Sequence, residues 1–171
     1  DEILSNVLHK LSGAGFTIKP EKCIFGVESV EYLGHSISKE GFKPKLSLIE
    51  AVRDAPCPKT KEELKSFMGL AEYMSKFVRN FADVSGCLRE NLKQNKVFDW
   101  DNNCEKAFMT IKKVICDAPC LSPYDQNSRT ILTTDASKIG IGATLSQIQV
   151  GKEVTVAFAS RCLSSSESNY S

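Results

Sequence analysis

The sequence predicts an α+β fold: a helix and a β-hairpin, then a run of helices, then a three-stranded antiparallel meander. Three observations carry that expectation. Residues 60–78 place apolar side chains at helical spacing behind a Thr-x-x-Glu capping box. Residues 101–115 repeat the spacing behind an aspartate suited to capping. Residues 130–159 break into three short strand-like runs punctuated by glycine.

Taken in order, Leu4, Val7, Leu8 and Leu11 have helical spacing, and Gly13 and Gly15 stop that helix. Phe16-Thr17-Ile18 alternates like a short strand, as do Val30 to Leu33 and His35 to Ile37, and Lys39-Glu40-Gly41 turns the chain. Pro44 suits a first helical turn, and Leu48, Ile49 and Val52 form a stripe that Pro56 and Pro58 terminate. The box Thr60-Lys61-Glu62-Glu63 opens the next helix, with a stripe of Leu64, Phe67, Met68, Ala71, Met74 and Val78. Phe81 to Leu92 is a shorter, less regular helix. Asp101 caps a fourth, whose stripe runs from Cys104 through Phe108 and Ile111 to Ile115 and closes before Pro119. Thr130 to Asp135, Gly142 to Ser146 and Val154 to Ala159 then read as strands of a meander. Three regions follow, 1–43, 44–118 and 119–171.

The chain has 171 residues, 42% hydrophobic and 25% charged, a globular composition. No apolar run approaches the roughly 18–20 residues of a membrane helix, so no membrane partner is expected. Asp1-Glu2-Ile3-Leu4 lacks the basic start of a secretory signal and reads as mid-helix. Seven scattered cysteines form no C-x-x-C pair, and His9 and His35 are the only histidines. A zinc site needs four convergent ligands, so these are expected to be reduced thiols, several facing the core. Net charge is +1, so a case for nucleic acid must rest on where the charges lie.

Several ordered strings carry a resemblance. They include Gly15-Phe-Thr-Ile-Lys-Pro-Glu-Lys22-Cys23, Glu31-Tyr-Leu33-Gly34-His35, and Thr60 through Tyr73. They continue with Lys76-Phe77, Arg79-Asn80-Phe81, Phe98-Asp99-Trp100, Leu132-Thr-Thr-Asp135-Ala136-Ser137, Gly142 through Gln147, Ser160-Arg161 and Asn169-Tyr170-Ser171. Together they resemble the gypsy-type family of long-terminal-repeat retrotransposon polymerases along essentially the whole chain. The resemblance implies the end of a reverse transcriptase palm over 1–43 and a helical thumb and connection over 44–118. It implies the opening, truncated part of an RNase H-like domain over 119–171. The family's polymerase aspartates precede the palm helix at which this sequence opens, and its next RNase H carboxylate is expected just beyond Ser171. Residues 1–171 by themselves are therefore expected to catalyse neither reaction.

Site residues follow from the same resemblance. Lys22 matches a lysine beside the incoming triphosphate, where a mobile cation neutralises departing pyrophosphate; by itself the residue reads as a solvated lysine in a turn. Leu33, Gly34 and His35 match the primer grip, and a glycine on a strand permits close backbone approach; the alternative is a bulge. Lys65, Gly69 and Tyr73 recur every four residues and share one helix face. A mid-helix glycine costs about 1 kcal/mol against alanine, so that face has a use for the space. The resemblance supplies a duplex minor groove, with Lys65, Lys76 and Arg79 at phosphates, while the alternative is a neighbouring helix at Gly69. Met74 departs from the aromatic or basic residue usual there. Asp135 matches the first carboxylate and metal ligand of a two-metal RNase H site.

The implied function is that of the template–primer-binding part of an RNA-directed DNA polymerase with RNase H. Mg²⁺ is implied for the intact parent. The implied partners are an RNA–DNA hybrid or DNA template–primer and the remainder of a Pol polyprotein. The implied setting is intracellular, in the cytoplasm, virus-like particles or nucleus. The rivals are a domesticated, non-catalytic nucleic-acid-binding or protein-interaction module, and a gene fragment without a selected role.

Overall fold

The two strongest apolar stripes, each opened by a capping side chain, build the centre of the molecule. In the computed structural model, which describes residues 2–164 and 166–167, α3 spans Lys61–Tyr73 and α5 spans Asn102–Cys116. Thr60 Oγ1 accepts from the Glu63 amide at 3.2 Å, and Glu63 Oε2 accepts from the Lys59 amide at 2.7 Å. The box therefore closes one residue outside the cap. Asp101 Oδ1 accepts from the Cys104 amide at 2.8 Å. Two flanking helices, α2 (Leu46–Arg53) and α4 (Phe81–Leu92), complete the bundle.

The core is a single apolar cluster drawn from these helices, including Val52, Leu64, Phe81, Leu88, Ile111 and Ile115. Each leucine or isoleucine so buried stabilises the fold by about 1.5–3 kcal/mol. The Phe67 and Phe108 rings meet at 4.6 Å. This bundle anchors a sheet on either side of it in sequence.

The first sheet follows helix α1 (Glu2–Gly13) and consists of β1 (Ser29–Tyr32), β2 (His35–Ser38) and β3 (Gly41–Pro44), all antiparallel. The second is the meander β4 (Arg129–Ala136), β5 (Gly140–Gln149) and β6 (Lys152–Cys162), with a register irregularity at Leu145/Ser146. Phe42 and Leu121 exchange backbone hydrogen bonds at 2.8 and 2.9 Å, tying β3 to the segment that leads into the second sheet.

Three local expectations are corrected. Phe16-Thr17-Ile18 forms no strand, with Phe16 and Ile18 exposed. Alternation alone does not make a strand; a neighbour must supply the ladder, and among the described residues none does. Pro44 does not open a helix. It ends β3 opposite His35, at a sheet edge where its missing N–H leaves no ladder bond unmade. Finally, α3 stops at Tyr73, and the stripe continues into a 3₁₀ turn, Ser75–Phe77. Lys76 and Arg79 therefore follow α3 rather than lie on it. The string Asn169-Tyr170-Ser171 falls outside the described residues.

Candidate nucleic-acid interface

Lys65, Gly69 and Tyr73 lie on one exposed face of α3. A Cβ built on Gly69 would meet nothing within 4 Å. The space left by the missing side chain is therefore not taken by a neighbouring helix of this chain, which removes the packing explanation for that glycine. From Lys65 to Tyr73 the strip runs about 12 Å at the usual helical rise. Lys61 is not on it: its ammonium is drawn to the Lys93 carbonyl at 2.7 Å. Glu72 is paired with Arg89 of α4 at 3.2 Å.

The strip ends against the tip of the β1–β2 hairpin. Tyr32 pairs with His35, so Leu33 and Gly34 form a two-residue turn, both with positive φ, 45° and 68°. Such a turn matches the twist of its strands but strains a leucine. The Tyr73 hydroxyl donates to the Leu33 carbonyl and holds that strained residue in place. A Cβ on Gly34 would come within 2.7 Å of Tyr73 Oη and 3.1 Å of Leu48 Cδ1. The close approach anticipated at Gly34 is real, though it occurs at a turn and its occupant is Tyr73.

His35 seals this junction. Its ring stacks on Tyr73 with centroids 5.6 Å apart and 5° between planes, and it tilts against Phe77. The Lys76 ammonium donates to His35 Nε2 at 2.7 Å, which assigns the proton of a neutral ring to Nδ1. Burial, and secondly the Lys76 charge, lower the His35 pKa from its ordinary value. Lys76 also lies 5.3 Å from the centre of the Tyr73 ring. Hairpin tip and α3 strip, read as two sites in the sequence, thus form one continuous surface. Lys22 stands apart on the exposed 3₁₀ turn Pro20–Lys22, and Arg79 is exposed beyond Phe77.

Asp135 is exposed near the end of β4, opposite Gly142 of β5. Asn80 Nδ2 donates to Asp135 Oδ2 at 3.3 Å. Asn80 adopts the left-handed conformation, φ 52°, just before α4, and its Oδ1 sits where a Cβ on Gly142 would be, 2.2 Å away. A cavity of about 670 Å³ opens on this sheet, lined among others by Asp135, Ile141, Gly142 and Arg161. Arg161 is held by both Glu167 oxygens at 2.8 and 2.7 Å, which pulls the Glu167 carboxyl down to about 2.

Comparison with known proteins fits this arrangement. The profile of the family described as the RNase H-like domain found in reverse transcriptase matches residues 100–171, taking in α5 as well as the meander. The Pol polyprotein of transposon 412 from Drosophila melanogaster is 33% identical over 98% of the chain, and the transposon Tf2-3 polyprotein of Schizosaccharomyces pombe is 32% identical over 98%. The chain belongs to the retrotransposon Pol family. It spans 14% and 13% of the lengths of those two relatives. Foamy viral protease–reverse transcriptase, solved with double-stranded DNA and with RNA/DNA hybrid, shares the fold of this Pol chain at TM-scores of 0.79. That likeness covers 99% of the Pol chain at 22% identity, and 30% and 23% of the viral chains.

Reverse transcriptase RNase H-like domains use divalent metal. In the Pol chain Asp135 has an amide, Asn80, as a side-chain partner, and among the described residues it belongs to no group of three or more converging His, Cys, Asp or Glu donors. A two-metal centre needs several carboxylates, so the described residues do not make one. Asn80 is the site residue that sequence reasoning missed. Its string Arg79-Asn80-Phe81 was visible, and asparagine is the side chain most at home at left-handed φ, but its contact with Asp135 spans 55 residues.

Proposed function

We propose that this chain is the template–primer-handling part of an RNA-directed DNA polymerase with RNase H, and that it binds an RNA–DNA hybrid or DNA duplex. The duplex lies along Lys65, Gly69 and Tyr73, with Lys76 and Arg79 at phosphates and Leu33, Gly34 and His35 at the primer end. The observation that carries the reading is the open space at Gly69 on a lysine-edged face that leads directly into the hairpin tip. A sugar–phosphate backbone fits a notch that no protein atom fills, and the contacts are sequence-independent, as copying requires. The regions 1–43, 44–118 and 119–171 serve as palm end, thumb with connection, and RNase H opening. Lys22 faces the triphosphate side and Asp135 supplies one ligand for Mg²⁺ in the intact enzyme.

The test is binding of a labelled RNA–DNA hybrid across a salt series. Lys65→Glu with Lys76→Glu is expected to lower the affinity at least about tenfold and to reduce the slope of log K against log salt by about 2. Unchanged affinity and slope would remove the duplex from this face.

A further inference from the structure

We propose that Cys87 and Cys104 are a redox-sensitive thiol pair that closes into a disulfide joining α4 to α5 under oxidising conditions. Their Sγ atoms lie 2.9 Å apart, 17 residues apart in sequence. Cys104 is 2% exposed, whereas Cys87 is half-buried and is the sulfur that an external oxidant reaches. Asn91 is fully buried beside them and fixes the site. Its Nδ2 donates to Cys104 Sγ at 3.0 Å and to the Asp99 carbonyl at 2.7 Å, and its Oδ1 accepts from the Asp99 amide at 3.2 Å. None of the other thiols has a sulfur partner among the described residues.

The chemistry assigns each sulfur a part. With glutathione disulfide as oxidant, the Cys87 thiolate attacks one glutathione sulfur and expels the other glutathione, which takes up the Cys87 proton. The mixed disulfide is then resolved by Cys104. Its sulfur loses a proton, bonds to Cys87 Sγ and expels the second glutathione, which gains that proton. Two protein thiols are oxidised and one glutathione disulfide is reduced to two thiols. Burial, and secondly the Cys87 contact, push the free Cys104 thiol up to about 12, which makes it the poorer first nucleophile; its part in the second step rests on its 2.9 Å approach to Cys87.

A bound metal is the competing use, because the Asp101 carboxylate converges with both sulfurs within 4.8 Å. Two thiolates on a tetrahedral zinc stand about 3.8 Å apart and the sulfurs of a disulfide about 2.05 Å, so the 2.9 Å found here lies midway between the two. Asp101 is also occupied, accepting from the Cys104 amide and from Asn103. Three donors among the described residues, one of them already hydrogen-bonded twice, fall short of the four a structural zinc takes, so covalent closure is the use the pair supports. It would pin α4, which carries Arg89 and its ion pair to α3, to α5.

The 171-residue chain is to be treated with glutathione disulfide, alkylated and mapped by mass spectrometry without reductant. It is expected to lose two of its seven thiols and to yield a Cys87–Cys104 cross-linked peptide. The oxidised chain is expected to melt about 5–10 °C above the reduced one, from the short loop closed. Cys87→Ser abolishes that difference, whereas Cys57→Ser, at an exposed thiol, keeps it. The proposal is overturned if all seven thiols persist, if only glutathione adducts form, if other cysteines are joined, or if added zinc masks the pair in the reduced chain. Should Cys87→Ser fail to fold, the peptide map of the unsubstituted chain decides.

Discussion

The ammonium of Lys76 lies 2.7 Å from Nε2 of His35, so the junction between the hairpin and the turn after α3 depends on an uncharged imidazole. Protonation would remove the acceptor and set two cations against each other. Burial and Lys76 already lower the His35 pKa below 6.5 in the folded chain. The unfolded chain therefore takes up the proton at higher pH than the folded one. Stability from this group is present above 6.5 and is lost as pH falls toward the folded-state value. Proton NMR of the two histidines is expected to show His35 titrating below its ordinary value. Lys76→Met is expected to move it upward while leaving the burial effect, and an ordinary His35 titration would contradict this view of the junction.

Gly34→Ala is expected to destabilise the chain. The backbone there is left-handed at φ +68°, and the added carbon would stand 2.7 Å from Tyr73 Oη. Left-handed strain costs about 1–2 kcal/mol, a fall in Tm of about 2–8 °C for a chain of this size. Unaltered melting would mean that the hairpin tip is not seated against Tyr73.

Gly69 separates stability from binding. Gly69→Ala relieves a mid-helix glycine in open space and is expected to stabilise by about 1 kcal/mol, raising Tm by about 2–4 °C. Gly69→Leu also has room to fold, because no atom lies within 4 Å of the new Cβ, but its side chain fills the notch. Hybrid affinity is expected to fall about tenfold, equivalent to about 1.4 kcal/mol. Equal affinity for Gly69→Leu and the parent would show that the notch is not a contact.

The helices were legible because each announces itself locally. Thr60 and Asp101 cap where expected, and the stripes of α3 and α5 are the buried faces. The meander was legible for the same reason, with strands that extend past the expected runs by one to three residues at every end. What the sequence hid depends on partners far along the chain. The strand Gly41–Pro44 exists because Ile37 pairs with Phe42 and Leu121 bridges to it. Phe16-Thr17-Ile18 has the alternation and lacks the partner. In the candidate site, Lys65, Gly69 and Tyr73 share a face as helical spacing requires. The seating of Tyr73 and Lys76 against His35 joins positions 38 and 41 residues apart, and no local pattern records it.

The proposed function requires a duplex lying along the open face of α3, and lysine footprinting tests that directly. The chain is acylated with an amine-reactive ester with and without saturating RNA–DNA hybrid, and each lysine is quantified by mass spectrometry. Lys65 and Lys76 are expected to be protected at least about threefold by counter-charge and occlusion, while the exposed Lys106 of α5 reacts alike in both samples. Equal modification of Lys65 and Lys76 with hybrid bound would contradict the account.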